Sequence, residues 1–98
     1  MSTEKLRESL DQAEWSWIKP HLARNAVILV TQSLDLLEVG EEVAKDRAQI
    51  VEKWINEGSL SKPTAVQIQT WDLNLHGKFL CLVVSPYVLI QQLPNQLQ

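Results

Sequence analysis

One cysteine in 98 residues leaves Cys81 without a partner for an internal disulfide, which excludes a disulfide-knit miniprotein. The chain contains no Cys-x-x-Cys, no His-Glu-x-x-His and no Gly-x-Ser-x-Gly, and its three glycines, Gly40, Gly58 and Gly77, stand far apart. A zinc ribbon, a zincin, a hydrolase nucleophile elbow and a glycine-rich phosphate loop therefore have no basis in the sequence. The two histidines, His21 and His76, share no metal-ligand spacing with each other or with Cys81, so neither a metal nor any other cofactor is expected. The longest apolar run, Phe79 to Val84, falls far short of the ~20 residues of a membrane span. The first residues, Met1-Ser2-Thr3-Glu4-Lys5-Leu6-Arg7-Glu8, carry charge where a signal peptide needs an apolar stretch, so the cytoplasm is the expected location. A formal charge of −3 supplies no basic footprint, and no nucleic-acid or membrane partner is expected.

The rest of the composition is ordinary. An apolar fraction of 45% with 21% charged residues suits a soluble domain with one core. The length predicts a single domain over 1–98, ordered over about 3–93, with a short frayed tail from Pro94.

Leu6, Leu10, Ala13 and Trp17 recur at helical steps and predict a helix from about Thr3 to Leu22, broken near Ile18 by Pro20. Trp15, Ile18 and Leu22 form a second, rotated stripe. Ala26 to Thr31 is β-branched and apolar and reads as a buried strand. Ser33 is the expected N-cap of the next helix, with Asp35 in its first turn. Gly40 inside that helix costs about 1 kcal/mol relative to alanine unless a neighbour packs close there. Asp46 offers a second cap, so Ser33 to Glu57 reads as two consecutive helices, with one long helix as the alternative, and Gly58 reads as a left-handed terminator. Thr64 with Gln67 makes a capping box for a short helix carrying Ala65, Ile68 and Trp71. Phe79 to Val84 and Tyr87 to Ile90 are strands, separated by Ser85-Pro86. The expected fold is α+β, a small and largely antiparallel sheet of about three strands against four to five helices.

Phe79 to Val84 is apolar on both alternating faces, as suits a strand covered on both sides, a central strand or one that meets a second subunit. If the helices cover only one face, the other needs a homodimer partner. Trp15 and Trp17 cannot both be buried on one helical face, and Trp54 and Trp71 lie on core stripes. The candidate interface residues are therefore Trp15, Trp17, Tyr87 and Leu89. Asp35, Glu38 and Glu42, at steps of three and four, form a candidate polar site, although capping and a solvated helix face explain them as well. Cys81 reads as a small buried hydrophobe, and no catalytic residue is assigned.

Several runs together resemble the bacterial DUF2288 proteins. They are Ala23-Arg24-Asn25-Ala26-Val27-Ile28, Ser33-Leu34-Asp35-Leu36-Leu37-Glu38-Val39, Val51-Glu52-Lys53-Trp54-Ile55, Gly58 to Thr64 and Val84 to Gln91. Ala13 to His21 looks like the cyanobacterial branch. The resemblance implies a small intracellular bacterial protein and brings no activity and no site residues.

The first expectation is a non-enzymatic interaction or accessory protein that self-associates, with a further protein partner open. One alternative is a winged-helix-like DNA-binding regulator, with Gln67, Gln69 and Thr70 facing outward. That helix carries no Lys or Arg, which is a poor start for phosphate contacts. The other is a small enzyme using the carboxylates from Asp35 to Glu42.

Overall fold

The computed structural model describes residues 10–93. Leu6 of the expected first helix and the expected frayed tail from Pro94 lie outside the described residues. The elements are β1 (Asp11–Glu14), α1 (Trp15–Ile18), a 3₁₀ segment (Lys19–Arg24), β2 (Val27–Val30), α2 (Leu36–Ala44), α3 (Ala48–Asn56), β3 (Leu60–Ser61), α4 (Ala65–Asp72), β4 (Lys78–Val84) and β5 (Tyr87–Gln92). The α+β class is as the sequence predicts. The sheet has five strands in the order β1-β4-β5-β2-β3 rather than about three, and the β2–β5 pair is parallel, so the sheet is mixed.

The largest departure is at the start, where Asp11–Glu14 forms a strand in place of the expected helix. It pairs antiparallel with β4, Asp11 opposite Cys81 and Glu14 opposite Lys78. Without it, β4 would leave a row of backbone groups unpaired along that edge. The chain then turns into α1 while the Trp15 and Ser16 amides donate to the carbonyls of Gly77 (2.8 Å) and Leu75 (3.0 Å). Pro20 ends α1 at Ile18, as expected, and the chain tightens into the 3₁₀ segment, closed by Asn25 in the left-handed region.

Local signals set most of the remaining boundaries. Asp35, not Ser33, caps α2, its carboxylate accepting from the Leu37 amide at 3.1 Å. The break between α2 and α3 falls at Lys45–Arg47, with Asp46 at φ 57°. Arg47, not Asp46, occupies the cap position of α3 and makes no side-chain cap bond. Gly58, at φ 80°, turns the chain out of α3. The Thr64–Gln67 box is complete, with reciprocal bonds of 3.1 and 2.9 Å.

Helices cover both faces of the sheet. On one face Val30, Leu82, Val84 and Leu89 pack against Leu36 and Val39 of α2, with Val51 and Trp54 of α3 at the margin. On the other, Val27, Phe79, Cys81, Val88 and Ile90 pack against Trp15 and Ile18, with Ile68 and Trp71 of α4 beside them. β4 and β5 are thus internal strands, which accounts for the two-faced apolar pattern without a second subunit.

Gly40 has the close neighbour that its cost implied. A Cβ built there would overlap Leu82 Cδ2 and lie 3.5 Å from Val84 Cγ2. Its missing side chain lets α2 sit directly on β4. Gln91 is the one buried polar side chain among the described residues, and its amide donates to the carbonyls of Thr31 (2.8 Å) and Leu34 (2.7 Å). It ties the β2–α2 loop to β5 and so fixes where α2 starts.

Both sheet edges among the described residues resist pairing with another chain. Antiparallel self-pairing of β1 would set Asp11 against Glu14 of the second copy, and like charges directly opposite are destabilising. β3 has two residues and is followed by Lys62 and Pro63.

Candidate functional site

The α2–α3 turn and the amphipathic α3 shape one apolar concavity. α3 turns Val51 and Trp54 toward the sheet and leaves Ile55 55% exposed on its outer side. Beneath it the sheet contributes Ile28 of β2, Leu60 of β3 and the ring of Tyr87, which begins β5. Val43 and Ala48 close the end nearest the turn. The resulting groove has a volume of about 460 Å³. Its rim carries two acids, Asp46 and Glu52, and two bases, Arg47 and Lys62. Of these four, only Arg47 makes a salt bridge among the described residues, to Glu42 at 3.6 Å.

The candidate interface residues separate. Trp15 and Leu89 are fully buried, so neither side chain is open to a partner; Trp17 and Tyr87 remain exposed. The reason is topological: β5 is an internal strand rather than an edge, and Trp15 turns into the core where β1 ends. The Trp17 ring lies tilted against the His21 ring at 4.8 Å between centroids, and Arg24 donates to that imidazole. Trp54 and Trp71, expected in the core, are half-buried at its margin.

The candidate acidic site is not brought together as a pocket. Asp35 is occupied in capping, Glu38 lies exposed in the first turn of α2, and Glu42 faces Arg47. None of them lines the groove. No group of three or more His, Cys, Asp or Glu side chains able to hold a metal occurs among the described residues. His76 lies 3.3 Å from Glu14 in the open loop before β4. Burial, with help from the Asp11 charge, pushes the Cys81 thiol up to about 11, so it stays protonated and unreactive at neutral pH.

The candidate recognition helix is also engaged locally. Gln67 Oε1 accepts from the Thr64 amide, and the Thr70 hydroxyl donates to the Val66 carbonyl at 3.0 Å. A wing would need the β4–β5 hairpin at the periphery, whereas here it is the middle of the sheet.

The family model described as "Protein of unknown function (DUF2288)" matches residues 2–92. The chain belongs to this family. The match is to DUF2288 as a whole and does not extend to a cyanobacterial branch. The DUF2288 chain is similar to a protein from Pseudomonas aeruginosa described as "NMR solution structure of PA1075". The two share 33% identity and a TM-score of 0.77 over 90% of this chain and 81% of that one. No curated protein matches. No helix among the described residues is long and apolar enough to cross a membrane.

Sequence reasoning missed Ile55 and Lys62 as site residues. Ile55 reads as one more member of the α3 core stripe, and Lys62 as an ordinary loop cation. What sets them apart is the distant Tyr87, whose ring lies under the same groove.

Proposed function

We propose that this DUF2288 protein works by binding rather than by catalysis, as a small intracellular interaction or accessory protein, with the groove under α3 as its working surface. The groove itself carries this reading. Its volume of about 460 Å³ lies within the ~300–1,000 Å³ usual for binding sites. Aliphatic side chains make up half of its lining, joined by Tyr87, and the exposed Ser61, Asp46, Arg47, Glu52 and Lys62 border them. An apolar floor with a polar rim is the anatomy of an interaction site. Self-association is the finer form of the reading.

Titration of dilute protein with the apolar fluorophore 8-anilinonaphthalene-1-sulfonate tests it. The parent should give a saturable fluorescence gain. Ala48→Phe places a ring at the groove mouth from an exposed position on α3 and should remove most of that gain, with the circular dichroism unchanged. No saturable binding by the parent, or an equal gain from Ala48→Phe, contradicts the reading.

A further inference from the structure

We infer that the groove takes a second copy of this chain, docked through a two-fold axis; the inference rests on the groove being a binding surface. A two-fold contact requires one patch that complements itself, because each residue pair occurs twice. The patch around α3 offers apolar surface for such a contact. Ile55 lines the groove and is 55% exposed, so its side chain is open to the Ile55 of a second copy. Tyr87 adds a partly exposed aromatic ring, and tyrosine is favoured at interfaces.

The patch also complements itself in charge. Its rim carries two acids and two bases, so it is locally neutral although the whole chain carries −3. The two-fold sets Arg47 and Lys62 of one copy against Asp46 and Glu52 of the other. Asp46, Glu52 and Lys62 make no salt bridge among the described residues, and the 3.6 Å Arg47–Glu42 contact is exposed on its arginine side and readily exchanged. Pairing through the sheet edges is a poor route to a dimer. Like charges oppose antiparallel self-pairing of β1, and β3 is short and guarded by Lys62 and Pro63. The dimer is expected to form in the micromolar range and to dissociate on dilution.

Sedimentation equilibrium of the full chain, from low micromolar to several hundred micromolar, tests the inference. The mass should climb from 11.2 kDa toward twice that value. Ile55→Lys, at an exposed position where the fold tolerates charge, should hold it at 11.2 kDa throughout. Lys62→Glu should raise the dissociation constant several-fold. A parent that stays monomeric yet binds the fluorophore in a manner removed by Ala48→Phe overturns the second-copy occupant and leaves the groove standing. A dimer that Ile55→Lys does not weaken overturns it by placing the interface elsewhere. A monomer that binds no fluorophore overturns both statements.

Discussion

Trp15→Ala is expected to lower the unfolding free energy by about 3–5 kcal/mol, against a total of ~5–15 for a domain. Trp15 is fully buried and sits where three structural ties meet. Its ring lies edge-on to Trp71 at 5.0 Å and tilted against Phe79 at 5.8 Å. Its indole N–H donates to Asp72 at 2.7 Å, and Lys19 reaches the same carboxylate oxygen at 3.1 Å. The residue therefore joins β1 and α1 to the end of α4 and to β4. The indole hydrogen bond, then Lys19, holds the Asp72 carboxyl below its ordinary 3.8. A lowered folded value means that this group stabilises the fold above the ordinary value and that the contribution fades as pH falls through the lowered one. The gap between parent and variant should therefore narrow in acid. Urea unfolding monitored by circular dichroism measures the loss. A variant within 1 kcal/mol of the parent, a threshold of about the size of one net hydrogen bond, would contradict the packing described.

Gly40→Leu is expected to destabilise even though it replaces a poor helix former with a good one. Propensity alone favours the change by roughly 1 kcal/mol in the interior of α2. Against that, the added side chain enters space held by the fully buried Leu82 and by Val84. Overpacking of a core costs about 1–3 kcal/mol and sometimes more. Moving α2 off the sheet to relieve the overlap would also open the contact of Val39 and Leu36 with Leu82 and Leu89. The predicted outcome is a lower urea midpoint with an unchanged far-ultraviolet spectrum. A midpoint equal to or above that of the parent would show that α2 does not lie against β4 as described.

The parts of this fold that are legible in the sequence are those set by near neighbours in the chain. Thr64 and Gln67 lie three residues apart, Gly58 ends its helix by its own conformation, and Pro20 stops α1 wherever α1 begins. Gly40 is legible as a question, and Leu82 answers it from the far side of the chain. Asp11-Gln12-Ala13-Glu14 has no strand former in it, and the segment is extended only because β4 offers an edge to pair with. The parallel register of β2 with β5, Val27 opposite Val88, joins distant segments and leaves no local mark. That same pairing makes β5 internal, which is why Leu89 is core rather than interface. The groove is hidden for a related reason. Ile55 looks like core until β2, β3 and the start of β5 are laid beneath α3 and leave its side chain at the lip.

The proposed partner of the patch around α3 is a second copy of this chain. Amide ¹H–¹⁵N spectra recorded over a rising protein concentration test it most directly. Resonances of Asp46 to Glu52, Ile55, Lys62 and Tyr87 should shift together along one binding curve, while those of Asp11–Glu14 and of the outer face of α4 stay in place. Spectra that do not change with concentration, or shifts confined to β1 or α4, would contradict it.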